Sequence, residues 1–156
     1  MKIFDKIFDI ILVSALPMSE LRGGIPLAIY YGFNPIYAYF ICVLGNLIPV
    51  PILLLSLDYI REKILRKFRL LYNLYLKVEK HVLKKRVLID KYGYIGLTLF
   101  VAVPLPVTGA WTGCLLASLL KMDTKKSMVH ITLGVLLAGL LIVVTSVGVL
   151  SALNLS

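Results

Sequence analysis

Two opposite charges stand two residues apart in an otherwise apolar neighbourhood. They are Glu20 and Arg22, within Ser19-Glu-Leu-Arg-Gly-Gly24. A charge at membrane depth is costly, so it faces a cavity and takes a partner. Glu20 can hold a proton or a cationic group, and with a loose partner it can exchange protons at working pH. Arg22 can grip a carboxylate or phosphate as a two-pronged fork. The plainer alternative is an ion pair that staples a turn. Function is favoured, because holding a turn does not require charge. A second set is neutral: Thr108, Trp111 and Thr112, with backbone amides around Gly109 and Gly113. A helix starting there would aim its amide end and partial positive charge into a site, which suits an anionic group. Pro104 and Pro106 would hold that tip open. Gly23, Gly24, Gly109 and Gly113 would let the two tips approach closely. Trp111 reads equally well as packing.

The two sets are copies of one pattern. Leu16-Pro17-x-Ser19 followed by Gly24 returns 89 positions later as Leu105-Pro106-x-Thr108 followed by Gly113. Leu27-Ala28 pairs with Leu116-Ala117, Asn34 with Asp123, and Leu44-Gly45 with Leu133-Gly134. The constant offset reads as a duplicated unit. Apolar segments broken by Pro and Gly at matching places of two halves point to a transporter-type binding site.

Composition supplies the setting. Of the 156 residues 60% are hydrophobic, far above a soluble domain. Ile36 to Leu57 carries no charge, and Met128 to Leu150 has His130 as its one ionisable group. At about 1.5 Å per residue, each crosses a hydrocarbon core of about 30 Å. Asn34-Pro35 is a start signal for the first, and Asp123-Thr124 stands at the matching place before the second. Pro49 and Pro51 should kink the first span. The remaining apolar arms are short: Ile10 to Leu16 and Ile25 to Phe33, then Tyr94 to Val103 and Cys114 to Leu120. Each pair reads as a re-entrant hairpin whose tip is buried or water-lined. The rival reading makes residues 92–120 one kinked span. Residues 1–9 form a small amphipathic turn with Ile3, Phe4, Ile7 and Phe8 on one side. No Ala-x-Ala-like site follows the first apolar run, so a cleaved signal peptide is not expected.

Charge sets the orientation. Residues 61–91 hold eleven basic and three acidic residues, eight of the nine net positive charges. Lying between two apolar halves, this block reads as a cytoplasmic loop and not as a nucleic-acid site. Apolar positions at spacings of three and four make it an amphipathic helix. It is either a solvated orientation signal or a platform for anionic lipid headgroups. A hairpin returns and a span crosses, so each half crosses once, the two copies are inverted, and both termini lie outside. The expected fold is all-α and integral to the cell membrane, in one domain. It has repeat one at 10–57, a basic linker at 58–91 and repeat two at 92–150.

Other polar residues read as structural. Cys42 and Cys114 are small buried hydrophobes. His81 and His130 have no ligand partner at helical spacing, so no metal and no cofactor are expected. Asn46 and Ser56 read as helix–helix hydrogen bonds. Asp90 is a surface charge or an interfacial proton port. Phosphate cradles, paired carboxylates and nucleophile triads are missing from the sequence, which excludes the common enzyme classes.

Ser19-Glu-Leu-Arg-Gly-Gly-Ile-Pro26 together with Val103-Pro-Leu-Pro-Val-Thr-Gly-Ala-Trp-Thr-Gly113 resembles the putative small multidrug export proteins. Length, the two-half plan and the basic middle agree. That family is similar, more distantly, to the DedA/VTT membrane proteins. Their paired re-entrant hairpins are linked to flipping of lipids or polyprenyl-phosphate carriers. By that resemblance Glu20 matches the acidic residue of the first hairpin, whereas the arginine after the second hairpin has no clear counterpart here. The leading expectation is an ion-coupled transporter or flippase for an anionic or amphipathic substrate. Glu20 would be its proton site and Arg22 its anion clamp. Export of cationic lipophiles with Glu20 as counter-ion is the second, and a non-transporting scaffold the third. With so few spans, a closed path calls for a homodimer.

Overall fold

The computed structural model describes residues 3–59, 87–105 and 108–152, and all regular structure among them is helical. Helix α1 (Ile3–Ala15) and α2 (Glu20–Tyr30) are joined by a four-residue turn. Pro17 disfavours helix at the residue before it, which sets the end of α1. Nothing breaks the helix between Ile3 and Ala15, so residues 3–9 belong to α1 and are not a separate turn. A Cβ on Gly23 would lie 3.2 Å from the Val13 side chain. Those residues would be about 15 Å apart in one continuous helix, so the chain folds back at the turn.

Helix α3 (Pro35–Leu47) and α4 (Pro49–Tyr59) follow. Pro49 and Pro51 each lack an amide donor, and α3 and α4 are separated at Ile48. Helix α5 (Val87–Tyr92) leads into α6 (Tyr94–Ala102). An extended stretch from Val103 then precedes α7 (Ala110–Leu119). A Cβ on Gly113 would lie 2.6 Å from Val101, against about 18 Å in a continuous helix. Residues 92–120 therefore fold back, and a single kinked span is ruled out. The last element is α8 (Thr124–Ala152).

Two stretches are long and apolar enough to cross a membrane: Pro35–Leu57 with mean hydropathy 2.3 and Thr124–Val149 with 2.4. Their outer faces are bare hydrocarbon. Phe40, Leu44, Ile48, Ile52 and Leu55 are exposed along one, and Val129, Leu133, Leu137, Leu141 and Val144 along the other. Stripes of this length in water would aggregate; lipid is the solvent that fits them. Each residue of the second stripe stands 89 positions after its counterpart in the first.

The same offset recurs on the inner faces. Ala38, Cys42, Gly45 and Asn46 are buried, as are Ser127, Ile131, Gly134 and Val135. It recurs in the caps as well. The Asn34 side chain accepts from the Ile36 amide at 2.9 Å, and Asp123 accepts from Lys126 at 2.9 Å. Helix α2 ends with Phe33 N–H on the Ala28 carbonyl and Gly32 N–H on Ile29. Helix α7 ends with Met122 on Ala117 and Lys121 on Ser118, the same paired-amide termination. Gly32 and Lys121 both take positive φ there. Asn34→Ala and Asp123→Ala should each cost about 1 kcal/mol, the usual worth of an N-cap. Thermal unfolding in detergent checks this, and equal losses are expected.

The basic segment 60–86, with His81, lies outside the described residues, and so does Pro106. The amphipathic helix and lipid platform expected at 61–91 fall almost entirely there. His130 is structural: Thr98 Oγ1 lies 2.9 Å from its Nδ1, and its ring packs beside Tyr94. Cys42 and Cys114 are free and buried. No group of metal-ligating side chains occurs among the described residues.

Candidate functional site

Helix α7 starts with a deficit. Its N-cap is Gly109, which has no side chain to satisfy the first amides. Glu20, first residue of α2, supplies what is missing from the other hairpin. Trp111 N–H donates to Glu20 Oε1 at 3.3 Å. The carboxylate lies directly over the Gly109 α-carbon, where any Cβ would collide with it. A carboxylate at a helix N-terminus also gains from the helix dipole. Glu20 is 8% exposed and holds a positive φ of 46°, a conformation unfavourable for a residue with a side chain.

Arg22 makes the second cross-link. Its guanidinium donates to the Thr108 carbonyl, with the Thr108 hydroxyl 3.4 Å away. That hydroxyl lies 2.7 Å from both the Val103 and Leu105 carbonyls and accepts from the Leu105 amide at 3.1 Å. The Thr108 side chain is thus tied back to Val103 and Leu105, and its carbonyl accepts from Arg22. A third tie comes from Trp111, whose indole N–H donates to the Ala15 carbonyl at 3.0 Å.

Glu20, Arg22, Thr108, Gly109 and Trp111 therefore meet, as expected from their place in the two tips. The others turn elsewhere. Ser19 donates to the Val13 carbonyl within its own hairpin. Thr112 Oγ1 donates to the Gly109 carbonyl at 3.3 Å, inside its own turn. Gly23 faces Ser19 and Val13, Gly24 faces Ser14 and Cys42, and Gly113 faces Val101 and Ile131. Close approach of the tips rests on Gly109 alone of the four glycines. Both tips are also shorter than expected, because α2 begins at Glu20 and α7 at Ala110. One expectation is corrected in substance. The amide end of α7 is not open to a substrate anion, because Glu20 already fills it.

A cavity opens beside this junction. Glu20, Arg22 and Asn46 give it a polar side, and Leu21, Val101, Val135, Ala138 and Ile142 wall it with hydrocarbon. The free space inside it is about 10 Å³, room for about one water. That is far below the roughly 300–1,000 Å³ of a drug-sized pocket. Both halves of the chain supply the lining. Asn46, read from the sequence as a helix–helix hydrogen bond, makes one, donating from Nδ2 to the Ser14 carbonyl of α1 at 3.1 Å; its place on this cavity is what the sequence reading did not give. Its burial at 1% exposure beside Glu20 is what singles it out.

An all-helical chain with two helices long and apolar enough to span a membrane, and a buried charged junction between its halves, has the build of a small membrane protein. The chain belongs to the putative small multi-drug export protein family, whose pattern matches residues 20–141. The match begins at Glu20, so it takes in Glu20 and Arg22, the second tip and most of the second span, but not residues 16–19 of the first turn. The family is described as one of putative export proteins, not as an enzyme family. No curated protein and no solved structure matches the chain.

Proposed function

We propose that the chain exports lipophilic cations in exchange for protons, with Glu20 holding one or the other in turn. One observation carries this: the carboxylate of Glu20 is the single acidic side chain lining an apolar-walled cavity built by both halves. The Arg22 guanidinium on the same cavity is bound to the Thr108 carbonyl, and the charge of the buried carboxylate can be further met by a proton or an organic cation. The two seats an anion would use are engaged by the protein itself. Glu20 covers the α7 amides, and Arg22 is bound to Thr108. An anionic lipid carrier would have to displace both, so the cation reading is preferred to the flippase.

In this reading the halves are inverted copies, each a re-entrant hairpin plus a span. Residues 61–91 face the cytoplasm and both termini lie outside. The spans' apolar stripes face lipid or a second copy in a homodimer. When Glu20 takes up a proton it loses its charge interaction with the α7 amides. The tips then part and open the cavity.

The test uses proteoliposomes with the membrane potential clamped, a pH gradient imposed, and methyltriphenylphosphonium as cargo. Native protein should accumulate the cation against its gradient. Glu20→Gln should reduce this at least tenfold, and Glu20→Asp should retain part of it. Gradient-driven flipping of a short polyprenyl phosphate in the same vesicles, with no movement of the cation, would overturn the reading in favour of the lipid carrier.

A further inference from the structure

One residue lining the cavity carries a buried hydrogen-bond acceptor that the protein leaves unused. Asn46 Nδ2 donates to the Ser14 carbonyl at 3.1 Å. A carbonyl can only accept, so the atom facing it is the amide nitrogen, and the side-chain orientation is fixed. Ser14 belongs to α1, and no α1 residue lines the cavity. Asn46 itself lines the cavity, and its Oδ1, buried like Ser14 Oγ, accepts no hydrogen bond among the described residues. Leaving a buried acceptor empty costs about 1–3 kcal/mol, so such a group in a native protein calls for an explanation.

The 89-residue offset explains why the acceptor is single. Glu20 corresponds to Gly109, Leu21 to Ala110 and Asn46 to Val135, and both members of all three pairs line this cavity. Equivalent residues meet only near the axis that relates two copies. Two bulky or two charged side chains cannot share that place. One copy therefore carries the chemistry and the other the space: Gly109 yields to Glu20, and Val135 offers a methyl wall opposite Asn46.

We infer that Asn46 Oδ1 and the Glu20 carboxylate together form a seat for an ammonium group that bears at least one N–H, making the preferred cargo a protonated lipophilic amine and not a quaternary cation. This rests on the cation-export reading and narrows its substrate class. The carboxylate answers the charge of either kind of cation. The amide oxygen rewards only an N–H donor. A quaternary head would satisfy Glu20 and leave Asn46 empty. Discrimination by a placed acceptor is steep, because the wrong ligand strands a buried polar group.

The experiment measures binding in lipid nanodiscs. Trp111, the chain's one tryptophan, sits at the junction and serves as the fluorescent reporter. The probes are dimethyl-phenylbutylamine, protonated at neutral pH, and trimethyl-phenylbutylammonium, which differ by one N–H against one methyl. Native protein should bind the amine about tenfold more tightly or better, the worth of a hydrogen bond to a charged donor. Asn46→Val should bring the amine to the level of the quaternary compound and leave the latter unchanged, which also reports that the variant is folded. Adding Val135→Asn to Asn46→Val should restore the preference, since position 135 faces the same cavity. Equal binding of the two probes by native protein would overturn the inference, as would a parallel loss of both in Asn46→Val. Glu20→Gln separates the two levels of failure. If it loses both probes while Asn46→Val changes neither, only the amine seat falls. If native protein binds neither probe, the cation reading falls with it.

Discussion

Gly109→Ala is expected to abolish gradient-driven transport and to destabilise the fold by several kcal/mol. Two costs combine at one atom. Gly109 has φ 142° and ψ −169°, a region of backbone space that is open in practice only to glycine. Forcing another residue there costs about 1–3 kcal/mol. The new methyl would also occupy the position of the Glu20 carboxylate. Relief requires Glu20 to swing away, which leaves the α7 amides uncapped and a charge buried without its partner.

Thermal unfolding in detergent and cation uptake into vesicles read the two effects separately. Gly148→Ala is the control, because a Cβ there meets nothing within 4 Å and α8 simply gains a better helix former. That variant should be neutral or slightly stabilised, with full transport. A double variant, Glu20→Ala with Gly109→Ala, should recover the part of the lost stability that comes from the clash and the displaced charge, and none of the transport. Recovery of that kind marks direct contact between the two positions. Full transport by Gly109→Ala alone would mean that the carboxylate does not work from this seat.

Much of this was legible in the residues. Spacing alone put Glu20 and Arg22 beside Thr108, Gly109 and Trp111, because the repeat aligned the two tips before any fold was known. The spans were readable from uninterrupted hydropathy, and their caps from Asn34 and Asp123. What stayed hidden depends on direction, which a one-dimensional pattern does not carry. Gly23 and Gly24 look like Gly109 in sequence, yet a helical glycine faces whatever lies on its side of the cylinder, and theirs is their own hairpin. The sequence reading makes the tips too long because it treats Pro and Gly as helix breakers. Gly23, Gly24 and Pro26 instead lie inside α2, where packing of a buried face overrides propensity. The occupant of the α7 amide end was invisible for a related reason: a helix start advertises an anion site, but not whether the chain fills it from 89 residues away. Asn46 could have been found through its register partner Val135, had the offset been followed to the middle of the spans.

Gly45→Ala and Gly134→Ala, one in each half, are expected to lower stability by similar amounts, and only the first should also impair cargo binding. Each glycine lets a hairpin arm lie against the span of its own half. A Cβ on Gly45 would stand 2.9 Å from the Ile11 carbonyl oxygen and 3.1 Å from the Ile11 α-carbon. A Cβ on Gly134 would stand 2.9 Å from the Thr98 carbonyl oxygen and 2.6 Å from Val101 Cβ. Backbone cannot step aside as a flexible side chain can, so the helices must separate. In a membrane, where close packing of small residues holds helices together, overpacking of this kind costs about 1–3 kcal/mol or more. The functional consequence differs with the neighbour. Gly45 precedes Asn46, whose amide is anchored to Ser14 on the displaced helix α1. Moving α1 releases that anchor and lets the acceptor rotate out of register with Glu20. Gly134 precedes Val135, which has no hydrogen bond to lose. Amine binding should therefore fall toward the quaternary level in Gly45→Ala and hold near native in Gly134→Ala, at matched unfolding temperatures. Leu44→Ala and Leu133→Ala, on the exposed stripes next to these glycines, should alter neither quantity appreciably. Equal loss of amine preference in both glycine variants would mean that helix spacing, and not the Asn46 anchor, controls the seat.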